Sequence, residues 1–355
     1  MGVESRLWIA NTFLLVCATL SAQVVGPGQD LNKVDYNELV KQGTAKDFSY
    51  LISQGITFHV PFGTGATWLM TVVDRNNPDT GIASVLVKEG TNPNAIDTYN
   101  NTALRLAIRN MNVAWIDALI ANGADPNLED AKKEVPLGYA LSLSYQAVNG
   151  QSRSVGEQRS PELTLQALIR DGANVNREVA PGLPRVFLLT NLPYFDDLVP
   201  LLVQKGLNLR VNMSFKDIGN PDESLLMSYL KHPKATPATV RLLVDHGSDV
   251  NHVDGLGYSA LVNAVLFVED PNVALELLNG GADPNVGLFD KMKAIDIARG
   301  IPAFKGTEAM EKLEKFSNRS AYEDWLESIS PKSKGHIIST VQGNYKFPEI
   351  PNDEN

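Results

Sequence analysis

Cysteine is almost absent: the 355-residue chain has one, Cys17. Everything after it therefore lacks disulfides, a thiol nucleophile and thiolate metal ligands. A chain of this size without disulfides must take its stability from packing. Positive charge is also scarce. Lys and Arg total 31 against 41 Asp and Glu, a net charge of -10, and no basic run of five or more occurs. An acidic surface is repelled by phosphate backbones, so nucleic acid is excluded as a partner class. Histidines number five: His59, His232, His246, His252 and His336. His246 and His252 flank one turn with Asp249 between them, but a metal site needs three or four converging ligands. They read as a surface turn. No Gly-x-Ser-x-Gly, phosphate-cradling glycine loop or His-Glu-x-x-His is present. The adjacent acids Asp196-Asp197 and Glu129-Asp130 read as solvent-facing pairs rather than acid–base pairs. Catalytic, cofactor-binding and metal-binding residues are therefore assigned to no position, and the chain reads as no enzyme.

The first residues form a leader. Arg6 precedes a mostly apolar stretch, Leu7 to Leu20, and Ser21-Ala22-Gln23 supplies small residues for cleavage after Ala22. This is the layout of a secretory signal peptide, and the stretch is short for a membrane anchor. No later segment is long and apolar enough to cross a membrane. The expected location is periplasmic or secreted.

What is present in abundance is a recurring phrase. An apolar stretch ends in Gly, followed by a small or apolar residue, Asp or Asn, Pro or Val, and Asn. It reads Gly90-Thr91-Asn92-Pro93-Asn94, Gly123-Ala124-Asp125-Pro126-Asn127 and Gly172-Ala173-Asn174-Val175-Asn176. It returns as Gly247-Ser248-Asp249-Val250-Asn251 and Gly281-Ala282-Asp283-Pro284-Asn285, with weaker copies at Gly55 and Gly206. Successive glycines stand 35, 33, 49, 34, 41 and 34 residues apart. Helical spacing before each glycine, as in Ile116, Leu119 and Ile120, predicts a helix ended by a left-handed glycine. The Asn side chain is expected to bond nearby backbone. Unit starts recur too. Thr102 and Ser259 are placed to cap helices, and Pro136 sits where a first helical residue loses nothing. Trp68, Trp115 and Tyr139 fall inside helices and read as core, as do Phe187, Tyr194 and Phe195.

These residues carry a resemblance. Asn94-Ala95-Ile96-Asp97 continuing to Thr102-Ala103-Leu104 and Ala107 resembles the ankyrin repeat. So does Asn251-His252-Val253-Asp254-Gly255-Leu256-Gly257 continuing to Ser259-Ala260-Leu261 and Ala264. The likeness covers about residues 35 to 317. The family's Pro-Leu-His survives only as Pro136-Leu137, so the repeats are degenerate. The resemblance implies an all-α solenoid of about eight stacked helix-turn-helix units. The expected organisation is a leader at 1–22, a linker at 23–34 and the array at 35–317. A C-terminal helix follows at 318–329, in which Trp325 and Leu326 pack back on the array, and a tail at 330–355. Within the array the repeats are expected at 35–60, 61–95, 96–128, 129–177, 178–211, 212–252, 253–286 and 287–317. A polar insertion occupies 149–160. Sequons stand at Asn100, Asn212 and Asn318.

Such arrays bind proteins through finger tips and inner helices, so a non-catalytic scaffold is expected. The predicted partner is an exported or envelope protein held on the concave face, by a monomer that needs no cofactor. The tip position, two residues after the turn aspartate, is Tyr99, Lys132 and Leu256, and Arg185 is placed similarly in the fifth repeat. Their differing chemistry suits a contact surface. Alternatives are inhibition or escort of a secreted or periplasmic enzyme or toxin, and a structural role in the envelope.

Overall fold

The computed structural model describes residues 30–150, 160–180, 183–213, 222–268, 270–286 and 293–328. The predicted leader, Cys17, most of the insertion and the 330–355 tail lie outside these residues. Contacts group the chain into two compact units, Met1–Asn174 and Val175–Asn355.

Among the described residues the first unit holds four helix pairs. They are α1 (Tyr36–Gln42) with α2 (Ala45–Ser53), α3 (Trp68–Asp74) with α4 (Ile82–Lys88), α5 (Ala103–Arg109) with α6 (Val113–Ala121), and α7 (Pro136–Val148) with α8 (Pro161–Arg170). The second unit holds four more: α9 (Val186–Leu189) with α10 (Phe195–Gln204), α11 (Leu225–Leu230) with α12 (Pro237–Asp245), α13 (Ala260–Phe267) with α14 (Pro271–Asn279), and α15 (Ala294–Ala298) with α16 (Glu308–Phe316). α17 (Arg319–Ser328) follows. Within each unit the first helices of successive pairs pack on one another, and the second helices do the same, making two layers. Two short antiparallel strand pairs depart from the all-α expectation: β1 (Glu178–Ala180) with β2 (Leu183–Pro184), and β3 (Asn212–Met213) with β4 (Glu223–Ser224).

Each helix pair starts and stops by local chemistry. Thr102 Oγ1 accepts the Arg105 N–H at 3.0 Å, and Ser259 Oγ the Val262 N–H at 3.3 Å, as the caps predict. At the far end seven turns share one closure. The residue after the glycine donates its N–H to the carbonyl of a leucine five positions earlier: Leu51, Leu86, Leu119, Leu168, Leu202, Leu243 and Leu277. All seven leucines are fully buried. Each glycine has positive φ, 92° at Gly123, which this closure requires.

The expected local asparagine bond is present, as where Asn92 Oδ1 accepts the Asn94 N–H at 2.9 Å, but the last residue of the phrase works across turns. Asn94 Nδ2 donates to the Gly123 carbonyl at 2.9 Å, and its Oδ1 accepts the Asp125 N–H at 2.8 Å. Asn127 does the same to Gly172 and Asn174, at 3.0 and 2.7 Å. Asn176 bridges to Gly206 and Asn208, at 2.9 and 2.7 Å. Asn251 bridges to Gly281 and Asp283, at 3.0 and 2.7 Å. The local bond is left to the third residue: Asp125 accepts the Asn127 N–H at 2.8 Å and Asp283 the Asn285 N–H at 2.8 Å. Two positions break the pattern, His59 and Arg210. Arg210 Nε alone reaches Gly247, at 3.3 Å.

α17 closes the second unit. Tyr322 is buried and its hydroxyl donates to the Gly281 carbonyl at 2.9 Å. Trp325 lies against the Phe316 ring, centroids 5.0 Å apart, so the Trp325 expected to pack back does so.

Candidate functional site

The finger loops between helix pairs repeat one backbone design. An aspartate enters the loop and its Oδ1 accepts two N–H groups. Asp97 accepts from Tyr99 at 2.9 Å and Asn101 at 2.8 Å. Asp130 accepts from Lys132 at 2.7 Å and Glu134 at 2.8 Å. Asp254 accepts from Leu256 and Tyr258, both at 2.9 Å. Each carboxylate therefore faces into its own loop and turns the tip side chain outward. Tyr99 is 59% exposed and Leu256 52%, unusual for large apolar side chains, and Lys132 is exposed.

Arg185 is the exception among the predicted tip residues. It is only 5% exposed, at the junction of β2 and α9, where its N–H donates to the Arg177 carbonyl at 3.0 Å. Pairing of β1 with β2 takes the place of the aspartate loop there, which carries the arginine inward.

Neighbouring fingers in the first unit are tied together. The Thr98 N–H donates to the Thr64 carbonyl at 2.9 Å. Asn100 Nδ2 donates to Asp130 Oδ2 at 2.8 Å, and Asn100 Oδ1 accepts the Ala131 N–H at 2.9 Å. Asn100 adopts φ 64°, and Lys133 φ 60°, so both tips close through left-handed residues. Beneath them Arg105 pairs with Asp130 at 3.2 Å and Glu134 at 3.1 Å, and lies 3.7 Å over the Tyr139 ring. Glu129-Asp130 is thus no solvent-facing pair: the Asp130 side chain is 6% exposed. Burial alone would raise its pKa. The N–H groups of Glu134 and Lys132, the Asn100 amide and Arg105 outweigh that, and hold it below the ordinary value.

Asp196 is likewise engaged. It accepts from the Tyr229 hydroxyl at 2.5 Å, and that hydroxyl accepts the Thr236 N–H at 2.7 Å. The sequence offers no spacing signal for either link, because each joins residues whose nearness depends on stacking. Of the aromatic residues read as core, Trp115, Phe187 and Phe195 are buried, and Trp68, Tyr139 and Tyr194 are half-buried. His252 Nε2 lies 2.5 Å from the Asp222 carbonyl oxygen. Among the described residues no group of three or more His, Cys, Asp or Glu converges as a metal site, and no helix is long and apolar enough to cross a membrane.

The family model described as ankyrin repeats (3 copies) matches residues 38–130. No curated protein matches the chain. Solved structures similar to it include the human ASB11 ankyrin repeat domain, at 18% identity over 66% of this chain and 92% of that one, with TM-score 0.41. The ankyrin repeat domain of Bcl-3, described as a unique member of the IkappaB protein family, gives 17%, 76%, 91% and 0.31 in the same order. An ankyrin repeat domain from Acinetobacter baumannii AYE gives 21%, 69%, 95% and 0.32. Ankyrin repeats generally mediate protein–protein interaction and are typically not catalytic. Residues 38–130 thus carry ankyrin repeats, and the same turn, cap and finger chemistry continues beyond them.

Proposed function

We propose that this chain is a non-catalytic scaffold that holds an exported or envelope protein through its finger tips and the inner helices beside them, acting as a monomer in the periplasm or outside the cell. One observation carries the reading. Tyr99, Lys132 and Leu256 occupy the same place in the same backbone loop, all exposed, with three different side-chain chemistries. A position kept for stability would repeat one residue type, whereas a contact position takes its partner's chemistry. The links through Asn100 and Thr98 stiffen the tips of the first unit, which lowers the entropy lost on docking. Export rests on the leader at 1–22.

The test is cross-linking of the full chain in its native compartment, followed by identification of the attached protein. Simultaneous Tyr99→Ala, Lys132→Ala and Leu256→Ala is expected to abolish that capture and leave the melting temperature nearly unchanged. Capture that survives the triple substitution would remove the tips from the interface. A captured enzyme or toxin that loses activity on binding would make the chain its inhibitor.

A further inference from the structure

The fifth and sixth repeats are joined differently from their neighbours. At the joints served by Asn176 and Asn251, one side-chain amide makes two bonds of 2.7–3.0 Å between successive turns. Between the Gly206 and Gly247 turns the amide is replaced by Arg210, which is exposed and makes the single 3.3 Å bond. A guanidinium has donors only, so it cannot supply the oxygen that would accept the Asp249 N–H. The turn end of this joint is therefore slack.

The opposite end is pinned. Asp196 stands at the start of α10, far from the Gly206 turn that follows the helix end. Ten residues of helix separate the ends by roughly 15 Å. There Tyr229 of α11 donates to Asp196 at 2.5 Å, and its ring meets Phe195 with centroids 5.4 Å apart. Thr190 and Ser228 hydroxyls approach to 3.3 Å on the same side. Repeat five also has little regular helix at its start. α9 is a single turn of four residues, and Pro200 withholds one N–H within α10.

We propose that this joint is a hinge of the second unit. Repeats six to eight rock on repeat five about the Tyr229–Asp196 pin, and the Gly206 and Gly247 turns separate when they do. Such a joint lets the fingers on either side change spacing, while the joints served by Asn176 and Asn251 stay locked.

Amide hydrogen exchange on the full chain tests this. In the unsubstituted protein, amides at 247–251 are expected to exchange faster than those at 281–285. Arg210→Asn restores an amide at the joint and should slow exchange at 247–251 by roughly tenfold, leaving 281–285 unchanged. Asn251→Ala should do the reverse to 281–285. Tyr229→Phe removes the pin and should speed exchange along α9 to α11, a change that slackness confined to the turn would not produce. The hinge is wrong if 247–251 are no faster than 281–285 in the unsubstituted chain. It is equally wrong if Arg210→Asn or Asn251→Ala leaves its target amides unmoved.

Discussion

Asn127 and Gly172 lie 45 residues apart in the chain and share a hydrogen bond of 3.0 Å, donated by the asparagine side chain to the glycine carbonyl. The same asparagine accepts the Asn174 N–H at 2.7 Å. Its amide thus reproduces, between two turns, the paired donor and acceptor that one strand offers another. The longer fourth repeat lengthens the chain path between the two turns without altering this bridge, so the register of stacking is set at the turns rather than by repeat length.

Asn127→Asp tests the donor half of that bridge. A carboxylate has no N–H for Gly172 and would bring its oxygen against the carbonyl oxygen. A loss of about 1–3 kcal/mol in urea unfolding is expected. Asn92→Asp should be nearly neutral, because Asp125 already fills the equivalent place in the next turn and makes the same local bond.

Gly123→Ala isolates the backbone. The nearest atom an added methyl would meet is the Pro93 Cγ at 3.8 Å, so there is room. The φ of 92° is what an L-residue resists. The substitution should cost about 1–2 kcal/mol by thermal or denaturant unfolding. A loss near zero would mean that the turn relaxes.

Tyr229 should titrate late. Burial and the hydrogen bond to Asp196 push its phenol from 10.0 up to about 12, and burial also raises Tyr322. A pKa raised on folding stabilises the protein fully below the unfolded value and ceases to do so as pH climbs through the folded one. Tyr229 thus contributes up to about pH 10 and its contribution fades towards 12. Tyr229→Phe should flatten the alkaline loss of stability in that window and remove one late step from the ultraviolet tyrosinate titration.

Asp130 gives the opposite sign. Its carboxyl is held below the ordinary 3.8, so its contribution is whole above that value and disappears as pH falls through the folded one. Asp130→Asn should lower stability by about 1–3 kcal/mol at neutral pH. It should also make the unfolding midpoint less steep in acid, below about pH 4. An unchanged acid slope would show that Arg105 and Asn100 do not depend on this charge.

Turn glycines, helix caps and the helix pairing were readable in the sequence because they are local. A glycine after an apolar run, a threonine three residues before a cap's donor and a proline at a helix start each act within one turn of chain. Repetition at a near-constant period then identified the stacking unit. The predicted tips Tyr99, Lys132 and Leu256 followed from the same local register, since the aspartate that orients each is two residues away.

What the linear order could not hold was decided by stacking. It drew Asp130 under Arg105 and Asn100, and set Tyr229 against Asp196. It also turned each phrase-ending asparagine onto a neighbour about thirty to forty-five residues away. A side chain's partner depends on which residues packing brings within about 3 Å. In a stack of repeats that partner belongs to the next unit, at a distance that insertions are free to change.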